Sequence, residues 1–302
     1  MKKKISWLIF IAFLVLVEVL WGWGKILAPW KLLSMSQVLT GVVLLFTTYS
    51  IRTLRLYDYF LPDVSWWASF RLMLMHNFMN NMLPARMGEV SFPLLLKQYF
   101  SIGYLRSTSV LLWFRLLDLH AILMMALIFW PKDEAWPWPV KLLIGLMLLV
   151  PWFVYLLKAP LLKRLQTLLQ NRQESKLGKL LKMFIDLIGY LPNRHSVLLK
   201  SLLLTWLNWA MKLFVLAWFI SLFINEPVYR LIVAAVAGEL TSILPVHAPG
   251  GFGTYEAGLM AGLIGFADQQ LAATTAINTH LFLLSSSLLG YVVAKFIPIK
   301  QS

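Results

Sequence analysis

The sequence predicts an all-α polytopic membrane protein, and three observations carry that prediction. First, the 302 residues are 60% apolar and only 13% charged, whereas a soluble domain carries about 25% charged residues. Second, with a mean hydropathy of +0.73, the chain holds repeated apolar runs that reach the roughly 20 residues needed to cross the hydrocarbon core. Third, two runs are broken by the same local pattern of Leu-Pro, a glycine-containing turn and then a glutamate. One is Leu83-Pro84-Ala85-Arg86-Met87-Gly88-Glu89, and the other runs from Leu244-Pro245 through Pro249-Gly250-Gly251-Phe252-Gly253 to Glu256. In hydrocarbon an unpaired backbone group costs several kcal/mol, so irregular backbone persists only inside protein or beside a water-filled cavity. The breaks therefore mark the working part of the molecule.

Taken in order, the chain gives about six full transmembrane helices, near 5–23, 37–57, 106–130, 139–157, 197–224 and 270–296. The first follows Lys2, Lys3 and Lys4, carries Glu18, lacks a small-residue cleavage site and ends in the aromatic anchor Trp21-Gly22-Trp23, so it reads as an uncleaved span. Segments 64–100 and 228–267 are apolar but interrupted, and each reads as a re-entrant broken-helix pair. Between Lys158 and Lys200 lie nine Lys and Arg against two acids, Glu174 and Asp186, which places this linker in the cytoplasm by the positive-inside rule. Lys2–Lys4, Arg52, Arg55, Lys295 and Lys300 fall on the same side, and the net-negative loop Pro131–Trp136 falls outside, so both termini face the cytoplasm of a plasma (inner) membrane. Lys25 and Lys31 would lie outside. Within the linker, Leu161–Gln166 and Leu177–Ile188 carry apolar residues at helical spacing beside lysines, as in helices lying in the interface plane.

With six crossings, 64–100 enters from the cytoplasm and 228–267 from outside, the signature of an inverted-topology repeat. The whole chain, 1–302, then forms one integral membrane domain. Its first half-repeat spans about 37–130, its linker 158–200 and its second half-repeat about 197–296. The downstream spans agree: Arg115 lies 26 residues after Glu89, and His280 lies 24 residues after Glu256.

The candidate chemistry sits at the breaks. In the first, Asn77, Asn80 and Asn81 offer amides, Pro84 removes a donor, Gly88 permits a reversal, and Arg86 and Glu89 flank the turn. In the second, Gly250, Gly251 and Gly253 let backbone N–H groups approach an anion at the start of a helix near Thr254, with Glu239, His247 and Glu256 around them. Arg115 and Asp118, at i and i+3, pair with each other or with Glu89 and Arg86 across the bundle. Arg86, Asn80, Asn81, Gly250, Gly251 and Gly253 are the substrate-binding candidates. Glu89, Arg115, Asp118, Glu239, His247, Glu256 and His280 form a charge network. Ser285-Ser286-Ser287 reads as helix-packing material.

Composition excludes several functions. With no cysteine, disulfides, iron–sulfur clusters and thiol chemistry are absent. The chain shows no metal-ligand spacing, no nucleophile–base set, and no Gly-Lys-Ser/Thr after the glycines, so neither a metal nor another cofactor is expected. The net charge of +14 lies in loops beside spans and serves topology and anionic lipid, not nucleic acid.

The ordered set Asn80-Asn81-Met82-Leu83-Pro84-Ala85-Arg86-Met87-Gly88-Glu89, Arg115-Leu116-Leu117-Asp118, then Leu244-Pro245 … Pro249-Gly250-Gly251-Phe252-Gly253 … Glu256 resembles a known family. It is similar to the membrane domain of lysylphosphatidylglycerol synthases, which also occurs alone as a flippase-like integral membrane protein, and the likeness covers roughly 5–296. The resemblance implies a lipid flippase that moves an anionic or aminoacylated polar lipid between leaflets, not an enzyme. The 302 residues hold no aminoacyl-transferase segment, so synthase activity is not expected of them, and His280 stands where relatives often carry an arginine. Two other readings stay open: an enzyme acting on a polyprenyl-phosphate or lipid-linked intermediate, and an accessory subunit of a lipid-modifying enzyme docked on the 158–200 linker. The expected partners are a membrane phospholipid or polyprenyl-linked lipid, with a homo-oligomer or a lipid-modifying enzyme as the protein partner.

Overall fold

The computed structural model describes residues 2–129, 137–170, 175–241 and 248–298, the side chains of 2–6 and 84–86 excepted. All regular structure among them is helical. Five helices are long and apolar enough to cross a membrane, and a bent pair at the N-terminus makes a sixth. The chain is thus an all-α, multi-pass membrane protein.

The N-terminal span differs from its predicted extent. Helix α1 (Lys2–Leu20) stops before the tryptophans, and α2 (Trp23–Leu27) with the 3-10 turn Ala28–Leu32 leaves at 88° to it. Gly22, at φ 78°, makes the elbow. Glu18, anomalous in an apolar span, accepts the Trp23 backbone N–H at 2.9 Å and so caps the start of α2. Asn278 then fastens the bent arm to the last helix by donating to the Ile26 carbonyl at 2.7 Å.

Helix α3 (Met35–Phe60) begins with a capping box in which the Ser34 hydroxyl accepts from the Gln37 N–H at 3.2 Å and the Gln37 side-chain Oε1 accepts the Ser34 N–H at 2.8 Å. Segment 64–100 resolves into α4 (Trp66–Met82), a 3-10 turn Pro84–Val90 and α5 (Ser91–Phe100). Gly88 serves there as predicted, by a close approach: a Cβ on it would meet the Asn80 Cα and the Met79 carbonyl oxygen at 2.3 Å. Helix α6 (Tyr104–Phe129) completes the first half.

Helix α7 (Trp138–Gln170) runs through Pro151 and Pro160 and absorbs Leu161–Gln166, which sequence reading had set apart as an interfacial helix. The helical spacing was right, but the helix continues through Pro160 into that stretch without ending. Helix α8 (Lys176–Gly189) returns alongside α7, its C-terminal carbonyl of Gly189 accepting from Lys158 Nζ at 3.0 Å.

The second half repeats the order of the first: α9 (His195–Ser221), α10 (Val228–Thr241), a 3-10 turn Pro249–Gly251, α11 (Thr254–Gly262) and α12 (Gln269–Phe296). Asp268 caps α12 through the Leu271 N–H at 2.8 Å. Helices α10 and α11 touch closely because Gly258 and Gly262, four apart on α11, meet Thr241 and Ala234, the small-residue seam that lets membrane helices approach. Two main apolar cores result. One gathers α3 to α6 around Leu72, Phe92 and Trp113, and the other gathers α9 to α12 around Phe219, Leu259 and Phe282. Across the halves α3 packs on α9, α4 on α12 and α10 on α6, and the 3-10 turns Pro84–Val90 and Pro249–Gly251 lie against each other.

Candidate functional site

Where the halves meet, a cavity of about 330 Å³ is lined from both breaks, by Asn80, Asn81 and Glu89 on one side and Gly250, Gly251 and Thr254 on the other. Among apolar walls such as Leu116, Ile122 and Leu283 it holds several ion pairs. From α6, Arg115 Nε lies 3.2 Å from Glu89 Oε1, and Arg115 Nη2 donates to Asn80 Oδ1 at 3.3 Å. From α9, Lys212 Nζ lies 2.7 Å from Glu239 Oε2 on α10. Asp118 accepts from Arg55 Nη1 at 2.7 Å and from Trp209 Nε1 at 3.1 Å, while Arg55 also donates to Thr205 Oγ1 at 2.6 Å. These charges are affordable inside a membrane bundle because each is paired and hydrogen-bonded.

The second break closes on itself. Glu256 Oε2 accepts the Gly253 N–H at 2.7 Å, covering the start of α11, and Oε1 meets His280 Nδ1 at 2.7 Å. The Tyr255 ring stacks on His280 with centroids 4.4 Å apart, and Phe10 and Phe13 of α1 press on Phe252 at 5.3 and 5.6 Å.

Of the predicted candidates, Asn80, Asn81, Glu89, Arg115, Asp118, Glu239, Gly250, Gly251 and His280 all line this cavity, with Glu256 directly behind His280. Each downstream polar residue pairs with the glutamate of its own break, Arg115 with Glu89 and His280 with Glu256. Gly253 is part of the turn, yet its N–H is engaged by Glu256. Arg115 and Asp118 are only 3.8 Å apart at Nη1 and Oδ2, and Asp118 makes its short contact with Arg55 instead. The side chain of Arg86 and the whole of His247 lie outside the described residues.

The family model of the lysylphosphatidylglycerol synthase TM region matches residues 5–290. The chain belongs to that family. Curated proteins and solved structures give no match.

Within this member of the lysylphosphatidylglycerol synthase membrane family, Asn77, named with the amides of the first break, also lines the cavity, while sequence reading missed Arg52, Arg55, Lys212 and Tyr255. Arg52 and Arg55 were assigned to the cytoplasmic flank, but Arg55 is buried and Arg52 lines the cavity. The positive-inside rule claims any cation near the end of a span and is blind to which way it faces. A finer signal was present. Thr48, Arg52 and Arg55 recur at i, i+4 and i+7, and Ser201, Thr205, Asn208 and Lys212 at i, i+4, i+7 and i+11, each one polar stripe on an apolar helix.

Proposed function

We propose that this protein is a lipid translocase, carrying a polar phospholipid or polyprenyl-linked lipid between leaflets of the plasma membrane. The single observation that carries this reading is that both breaks open onto one polar cavity of about 330 Å³ inside an otherwise apolar bundle. A lipid head group cannot cross hydrocarbon cheaply, since a charge at the bilayer centre costs about 3 kcal/mol even on translocon-based scales. A cavity lined by paired charges replaces the lost water while the acyl chains stay in lipid.

The helix order supports two inverted repeats, each a span, a re-entrant broken pair and a second span. The packing of α4 on α12 mirrors that of α10 on α6, and α3 meets α9 between them. Rocking of one half against the other then exposes the cavity to each leaflet in turn. The basic linker supports cytoplasmic termini, and amphipathic α8, with Leu177, Leu180 and Phe184 exposed beside Lys176 and Lys179, lies at the cytoplasmic surface. The cavity acids are engaged by cations, which suits gating by exchange of partners better than bond-making chemistry. A membrane phospholipid is the only partner this reading needs.

The test is translocation of a fluorescent phospholipid in proteoliposomes. Glu89→Gln and Glu239→Gln each lower the rate at least about tenfold while the protein stays folded, because each leaves one cavity cation without its carboxylate. Wild-type rates in both variants would overturn the assignment.

A further inference from the structure

A buried histidine on α4 reaches the first break from behind the cavity wall. His76 is 5% exposed, beside the cavity-lining Asn77, and its ring meets Phe92 edge-on with centroids 5.3 Å apart. Its Nδ1 stands 2.9 Å from the Ser91 hydroxyl, and that hydroxyl donates to the Gly88 carbonyl at 2.5 Å. A carbonyl only accepts, so the Ser91 proton is committed to Gly88 and the bond to His76 needs an Nδ1–H donor. Glu89 sits between the two fastened points, one residue after Gly88 and two before Ser91. The second break carries the same hydroxyl link, with Thr254 donating to the Gly251 carbonyl at 3.0 Å. There a histidine of α12 holds the glutamate directly, whereas at the first break a histidine of α4 holds the turn that bears it.

We propose that His76 is a positioning residue for translocation, fixing through Ser91 the turn that aims Glu89 at Arg115. The inference rests on the translocase reading and adds to its machinery a residue outside the cavity. Glu89 Oε1 meets Arg115 Nε at 3.2 Å, so a slip of the turn by about 1 Å takes the carboxylate out of hydrogen-bond range. Apolar packing is non-directional and tolerates such a slip. A buried hydrogen bond has a preferred distance and angle and resists it.

Two measurements on the full chain test this. In proteoliposomes carrying a fluorescent phospholipid, His76→Leu and Ser91→Ala each lower the translocation rate about fivefold, the factor that one lost hydrogen bond gives. Ser91→Ala removes the link with little change of shape, so the test does not depend on the folding of His76→Leu. An asparagine amide reaches the place of Nδ1 and a glutamine amide that of Nε2, so His76→Asn keeps the rate and His76→Gln does not. A histidine that merely fills space makes no such distinction. In Glu89→Gln protein, His76→Leu lowers the rate no further, because its effect runs through that carboxylate. Equal rates in the His76→Asn and His76→Gln variants overturn the proposal, as do losses that multiply in the Glu89→Gln background. Position is read without transport in the cysteine-free chain. A water-soluble maleimide labels Glu89→Cys about fivefold faster in combination with His76→Leu, and at an unchanged rate with His76→Asn. Labelling indifferent to His76→Leu also overturns the proposal. Lipid that stays still in wild type, while labelling responds to His76→Leu, removes the translocase reading and leaves the positioning. Wild-type translocation in every His76 variant does the reverse.

Discussion

The two breaks share a sequence pattern and solve the same problem with different materials. At Pro84–Val90 the chain turns by pressing backbone on backbone at Gly88, and its glutamate meets a guanidinium that stays charged at any physiological pH. At Pro249–Gly251 and the residues that follow, the chain turns through three glycines, Gly250, Gly251 and Gly253, at φ 71°, 76° and 84°, and its glutamate meets an imidazole. The first pair is wet, with side chains 29% and 24% exposed, and the second is dry, at 5% and 3%. One mate is therefore an open pair between a carboxylate and a guanidinium, and the other a sealed joint between a carboxylate and an imidazole. A repeated motif preserves geometry without preserving chemistry.

The largest contrast lies in removing each glutamate. Glu256→Ala strips a buried partner and the cap of α11 together and costs about 3–5 kcal/mol, read from detergent unfolding curves. Glu89→Ala, at a partly solvated pair, costs about 1 kcal/mol or less. Equal losses would erase the distinction between dry and wet. Next come the glycines: Gly88→Ala drives a methyl into backbone at 2.3 Å and costs about 3 kcal/mol. Gly251→Ala, with its nearest neighbour at 3.7 Å, pays only the left-handed conformation, about 1–2 kcal/mol. A milder Gly88→Ala would place the first turn's constraint elsewhere. The smallest effect is on access alone. Because the chain has no cysteine, Asn81→Cys gives a clean reporter that a water-soluble maleimide labels, while Leu259→Cys, fully buried on α11, stays unlabelled.

The sequence made the helices legible, because apolar length and breakers are read directly from residue type. Segments 64–100 and 228–267 resolve into broken pairs at Pro84 and Pro249, and the matching offsets of Arg115 after Glu89 and His280 after Glu256 were visible, though not that each downstream residue would meet that glutamate. Three features were hidden. The 88° elbow after Leu20 depends on one glycine and on Glu18, which hydropathy counts as a flaw. The continuation of α7 through Pro160 contradicts a residue normally taken as a stop, yet here the helix persists. The cations of the cavity were assigned by position along the span, when their meaning lies in azimuth around it: Arg52 and Lys212 face inward because α3 and α9 are neighbours.

Helix α7 stands apart from all of this. Only 6% of its most apolar stretch is buried, so nearly every residue there answers to lipid tails and not to neighbouring side chains. Exchange among Leu, Ile, Val, Met and Phe at Leu142, Leu146 or Leu149 should be close to neutral, since the fluid refits itself to any shape. Over generations such a helix drifts freely in letters while keeping its length and its oiliness, and two homologues compared there look less related than they are. At Glu89, Glu239 and Glu256, whose carboxylates meet Arg115, Lys212 and His280, the same drift has nowhere to go.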